Sequence, residues 1–157
     1  MNFLNRISAD GKTRERVTSQ SIVDVRAVSP DGRWLVAMSA RGDNLARTMT
    51  IPVDGGVPRL ICDDSCRAVW SSDGRRFFLW KGFFSGRRPL VVAPIPAGQT
   101  FPEFPAGDSP TFEAWATVPG AEALEQDTFV PSSDPATFVF TKSDELRNLF
   151  RIPLAGR

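Results

Sequence analysis

Cys62 and Cys66 enclose Asp63, Asp64 and Ser65, and their type and spacing point to covalent chemistry. A tight loop of this length brings two Cα atoms within the ~4.4 to 6.8 Å that a disulfide requires. A structural disulfide is the favoured reading, with two free thiols or a redox pair as the alternatives. So short a ring constrains the unfolded chain by about 2 kcal/mol or less. Two sulfurs make a four-ligand zinc site only with carboxylate help, for which Asp63 and Asp64 are weak candidates. The chain has no His, which removes a Ser-His-Asp or Cys-His site, imidazole ligation and the usual general base near neutral pH. Half of its Asp residues stand in Asp-Gly or Gly-Asp pairs, where turn formation accounts for them. No catalytic residue, cofactor or metal ligand is expected, and the possible disulfide Cys62 with Cys66 is the one site assignment.

Two charged motifs have plainer explanations. Arg41-Gly42-Asp43-Asn44 spells an adhesion tripeptide, yet Gly-Asp is also what a hairpin turn needs. Arg75, Arg76, Arg87 and Arg88 resemble a basic patch, but a hairpin turning near Phe84 sets the two pairs at different heights on the ladder. With 19 basic and 18 acidic residues the net charge is +1, so no global field favours nucleic acid or an anionic membrane. At 41% hydrophobic and 24% charged, 157 residues suffice for one folded domain. No stretch approaches the ~18 apolar residues of a membrane helix, and Met1 to Ser8 lacks the apolar centre of a signal peptide.

The elements that would carry these residues repeat. Asp31-Gly32 and Asp73-Gly74 lie 42 residues apart, and the Ile-Pro signatures at Ile51 (Ile-Pro-x-x-Gly) and Ile95 (Ile-Pro-x-Gly) lie 44 apart. Ile7 precedes Ile51 by another 44, whereas Ile152 follows Ile95 by 57, leaving about 13 extra residues in the last interval. A repeat of roughly 40 to 45 residues matches one propeller blade of four short strands. Each unit opens with a turn, Ser29-Pro30-Asp31-Gly32 in the first, followed by an apolar run: Trp34 to Met38, Phe77 to Trp80, and Phe138 to Phe140. Uninterrupted apolar strands are expected to be covered on both faces.

The fold class expected is all-β, a partial β-propeller of antiparallel four-stranded blades, with about three blades plus a remnant. Residues 1–20 form the outer strands of an incomplete blade, Phe3 to Ile7 and Arg14 to Thr18 around a turn at Ala9 to Lys12, so the chain is expected to start inside a blade. Blades follow over 21–62 and 63–105, the second taking its fourth strand from Phe101 to Phe104. A rim insertion spans 106–125, with a short helix over Thr111 to Thr117 capped by Ser109 or Thr111. The last blade, 126–157, is incomplete, with strands over Glu125 to Pro131, Ala136 to Thr141 and Leu146 to Leu154. Pro52, Pro96 and Pro153 fall at strand ends, where a missing N–H breaks no central ladder bond. In closed propellers a strand from the other terminus often completes the last blade, and Arg14 to Thr18 is the candidate. Three blades fall short of the roughly four to eight of a closed ring, so open edges invite self-association.

The segments VSPDGRWLVAM from Val28, VWSSDGRRFFLW from Val69 and IPVDGGVPRLIC from Ile51 resemble the WD-like repeats of TolB-type β-propellers. Val118 to Arg157 is similar to the C-terminal end of propellers attached to bacterial serine/threonine protein kinases. That resemblance implies an extracytoplasmic sensor or interaction module, with the kinase domain and a membrane segment elsewhere in the parent protein. Pro135 stands where the repeat has its turn Gly, a departure in the last copy. The chain contains no His-Arg-Asp, no Asp-Phe-Gly and no Gly-rich loop before a strand lysine.

The expected function is therefore non-catalytic recognition of a protein or small ligand, with no nucleic acid and no membrane contact by this chain itself. A stand-alone TolB-like periplasmic scaffold and the gating propeller of a prolyl-oligopeptidase-like peptidase are the alternatives. A disulfide implies an oxidising compartment such as the periplasm; free thiols would fit the cytoplasm. Binding is expected on loops at one end of the axis or on residues 99–125.

Overall fold

The computed structural model describes residues 2–40, 46–63, 66–81, 88–108, 110–126, 128–131 and 137–141. The Arg41 to Asn44 turn, Asp64, Ser109, Arg87, the turn at Pro135 and the strand expected over Leu146 to Leu154 lie outside them. The class is all-β, built of antiparallel strands.

Five strands form the first sheet, in the order β1 (Phe3–Ile7), β2 (Arg14–Val28), β3 (Trp34–Ala40), β4 (Ala46–Pro52) and β5 (Arg59–Cys62). A four-stranded sheet follows from β6 (Cys66–Trp70), β7 (Arg76–Lys81), β8 (Arg88–Pro94) and β9 (Glu122–Gln126). The last two strands, β10 (Thr128–Pro131) and β11 (Phe138–Thr141), pair with each other as a separate ladder. In the second sheet Arg76 pairs with Pro94 and Trp80 with Leu90, which puts Arg76 and Arg88 at opposite ends of their strands.

Strand β2 serves two ladders. Its residues from Arg14 to Ser21 pair with β1, and those from Ile22 to Val28 pair with β3. Leu4 and Val17 pack on Ile22, Ala37, Met49 and Ile51, so the β1 hairpin lies over one face of β3 and β4. Arg6 ties it there by ion pairs to Asp54 and to Glu15. Because alternate side chains of a strand point to opposite faces, Val36 turns the other way, toward the second sheet. β3 is thus covered on both sides, and Val36 and Ala37 are fully buried.

Packed between the two sheets are Val36, Ile61, Cys62, Cys66, Ala68, Trp70, Phe77, Leu79 and Val91. The Thr48 hydroxyl donates to the Cys66 carbonyl across this layer at 2.5 Å. On its far face the second sheet buries Phe78 and Leu90, flanked by Val69, Trp80, Val92 and Leu124.

Two expectations are corrected. Phe101 to Phe104 is not a strand; β9 supplies the fourth strand of the second sheet. Pro102 and Pro105 have no N–H to donate, so this stretch would leave gaps in a ladder, whereas Glu122–Gln126 has none. Phe101 and Phe104 instead plug the core: Phe101 stands 5.0 Å from the Trp34 ring, and Phe104 stands 5.1 Å from Trp115. The short helix α1 (Phe112–Trp115) forms, with the Thr111 hydroxyl accepting from the Ala114 N–H. Rather than decorating a rim, it drives Trp115 into the core, where the indole N–H donates to the Ile61 carbonyl at 2.8 Å.

Cys62 and Cys66 are joined in a disulfide with Cα atoms 6.1 Å apart, closing the passage from β5 to β6. Both sulfurs are thereby committed to each other. Thiol titration of the denatured, unreduced protein is expected to return no free sulfhydryl; two per chain would break this assignment.

Candidate functional site

One turn chemistry recurs at Ser8-Ala9-Asp10-Gly11, Ser29-Pro30-Asp31-Gly32 and Ser71-Ser72-Asp73-Gly74. In each, the Gly N–H donates to the Ser carbonyl, and the Ser hydroxyl donates to the Asp carboxylate. The same carboxylate accepts the N–H two residues on, from Lys12, Arg33 or Arg75. Gly32 and Gly74 sit at φ of 70° and 69°, a region where a side chain costs free energy. Ser supplies the donor, Asp the acceptor, and Gly the left-handed step.

The second and third of these turns come together at one end of the stacked sheets. A Cβ on Gly74 would lie 3.6 Å from Pro30, so the turns are in near contact. The loop after β8 closes over them: the Thr100 hydroxyl donates to Asp31 at 2.9 Å, and the Trp70 indole N–H donates to the Thr100 carbonyl at 2.7 Å. Between them lies a groove of about 370 Å³ lined by Asp31, Trp70, Asp73, Arg75 and residues 95–100. That is the lower end of the size range for small-ligand sites, roughly 300 to 1,000 Å³. An apolar indole, two carboxylates and an exposed guanidinium are its chemistry.

Both carboxylates are held in their charged form. Burial works against the charge on Asp31, but donation from Ser29, the Arg33 N–H and Thr100, with the nearby Arg33 charge, holds its pKa below the ordinary value. For Asp73 the Ser71 hydroxyl is the largest cause, followed by the Arg75 N–H, and its pKa is also lowered. A carboxylate stabilised in this way is a poor proton acceptor and a good fixed charge.

The linkage has a definite sign. A folded-state pKa below the unfolded one gives stability that is fully present above the ordinary carboxylate value of about 3.9 and is lost as pH falls through the folded value. The melting temperature is therefore expected to drop between about pH 5 and pH 3, and to drop less in the D31N/D73N double variant, whose amides keep the turns without the titration. Equal acid sensitivity of the two proteins would refute a role for these turns.

The sequence marked the Asp-Gly turns but not their convergence, because three distant segments build the groove. Among the described residues, no three of the His, Cys, Asp and Glu side chains group so as to hold a metal. No protein-family model matches the chain, and no curated protein matches it.

Proposed function

We propose that the chain is a non-catalytic β-propeller segment that recognises a protein or small ligand at the turn end of its sheets. The observation that carries this reading is the groove between Asp31 and Asp73, formed where like turns from successive stacked sheets meet. On this reading residues Ile22 to Cys62 and the β6 to β9 sheet are two blades, stacked face to face as propeller blades are. Carboxylates held ionised suit fixed recognition of hydrogen-bond donors better than proton transfer. The Cys62–Cys66 disulfide supports an extracytoplasmic setting, as in the sensor region of a kinase-type receptor.

The experiment is a thermal-shift screen of metabolites and short peptides, followed by backbone NMR of any hit. A ligand of this site shifts the amides of Asp31, Trp70 and Gln99 first. Arg75 is an exposed side chain, so Arg75→Ala is expected to weaken that binding about tenfold, or ~1.4 kcal/mol, at unchanged melting temperature. Binding that maps wholly elsewhere, or chemical turnover of the hit, would overturn the proposal.

A further inference from the structure

Resting on the groove as the recognition site, we infer that its ligand is a sugar, a neutral molecule held by two adjacent hydroxyls between Asp73 and Arg75. Two otherwise like turns differ at one oxygen. In both, the Oδ1 of the Asp is engaged within the turn: Asp31 Oδ1 accepts from the Ser29 hydroxyl and the Arg33 N–H, and Asp73 Oδ1 from the Ser71 hydroxyl and the Arg75 N–H. The second oxygens part company. Asp31 Oδ2 accepts the Thr100 hydroxyl at 2.9 Å. Among the described residues Asp73 Oδ2 meets only the Arg75 guanidinium, whose Nε is 3.9 Å away, too far for a hydrogen bond.

Thr100 shows which donor suits that open oxygen: an aliphatic hydroxyl brought in by another segment. The charges favour a neutral ligand. Arg33 lies near Asp31 and Arg75 near Asp73, so each carboxylate has its counter-charge within the turn and no net charge is left to select an ion. What remains is an acceptor beside a donor, because a carboxylate only accepts and a guanidinium only donates. A hydroxyl does both. One hydroxyl of a vicinal pair donates to Asp73 Oδ2, and the oxygen of its neighbour accepts from Arg75, so each bond is charge-assisted.

The rest of the groove suits a ring that is polar at its edge and apolar on its faces. Pro30, Pro96 and Ala97 give apolar walls, and the Trp70 indole, 6% exposed, has its N–H committed to Thr100. The wall that carries Thr100 is fixed by its neighbour Phe101, which is buried with its ring 5.0 Å from Trp34 and 5.5 Å from Trp70. A wall set in place beforehand loses little freedom on binding. Asp10 supplies the contrast. Its Oδ1 is engaged in the same way and its Oδ2 lies 3.8 Å from Lys12, yet it lines no part of the groove. The open oxygen becomes a site only where walls stand around it.

Backbone amide shifts of the full chain, titrated with glucose, galactose, mannose and the polymer dextran, test this at about 50 mM sugar units, enough to fill a site of millimolar Kd. At least one sugar is expected to move the groove amides, Asp73 and Arg75 among them. Shifts with a free hexose alone mark a soluble sugar as the ligand, and shifts with dextran as well mark a glycan chain; either supports the inference. Removing one engaged hydroxyl, within the monodeoxy series of the bound hexose, is expected to weaken binding by about tenfold or more. Asp73→Asn, which keeps the turn and replaces the open oxygen by an amide NH2, is expected to do the same, while Asp10→Asn binds as the wild type does. Silence with every sugar, monodeoxy analogues that all bind as tightly as the parent, or an Asp73→Asn variant of undiminished affinity would each overturn the inference. Should the sugars be silent while a short peptide moves the groove amides, the sugar falls and the recognition reading stands. Sugar shifts confined to residues outside the groove would sink both.

Discussion

Trp115→Ala is expected to destabilise the protein by about 3 to 5 kcal/mol, the range for deleting a large buried aromatic side chain. Trp115 is completely buried, lies 6.0 Å from the Phe77 ring and 5.1 Å from Phe104, and donates to the Ile61 carbonyl. The substitution removes ring contacts on two sides and leaves a carbonyl in β5 without its donor. Trp115→Phe separates these effects: it keeps most of the packing and loses the hydrogen bond, at a cost of about 1 to 3 kcal/mol. Urea unfolding of the three proteins reads both numbers. A wild-type midpoint for Trp115→Ala would show that α1 is an ornament and that the inter-sheet core closes without it.

Phe78→Ala is the second large effect, also about 3 to 5 kcal/mol, or a fall in melting temperature on the order of 10 °C. Phe78 faces away from the first sheet, is 2% exposed, and packs with Leu90, Val69 and Leu124. Its neighbours Phe77 and Leu79 point into the inter-sheet core. The apolar run from Phe77 to Leu79 thus feeds two separate cores on alternate residues, and Phe78→Ala reports on the outer one alone. A melting temperature unchanged within error would mean that the outer face contributes no packing.

Turns and inner strands were legible because their determinants are local. Ser29 to Gly32 and Ser71 to Gly74 close their own hydrogen bonds within a few residues, so the same short text gives the same geometry in each copy. Apolar runs at Trp34 to Met38 and Phe77 to Trp80 announce strands with two covered faces for the same reason. The fourth strand of the second sheet was not legible. Choosing between Phe101 to Phe104 and Glu122–Gln126 depends on pairing with β8 across a long excursion, which no local pattern encodes. Pro102 and Pro105 were the available signal. Trp115 showed the opposite ambiguity: the cap candidates Ser109 and Thr111 marked a helix, but nothing local says that its indole reaches the Ile61 carbonyl. The groove combines both cases, with legible turns and an illegible meeting of three loops.

Strand β2 carries a further consequence, for which lengths of chain the fold tolerates. Because one continuous strand is stacked over β3 and β4 at one end and lies in plane with β3 at the other, its residue count is a gauge between two layers. Deleting one residue between Ser19 and Ser21 would turn every later side chain to the opposite face, sending Arg26 where Val25 belongs. The bulges between Ile22 and Asp24 and between Val25 and Ala27 already set the phase that brings Val25 and Val28 to one side. Length can vary in the turn at Ser8 to Thr13, which is exposed and closes on itself, but not between Arg14 and Val28. The segment behaves as a ruler, with its marks set by the two sheets it measures between.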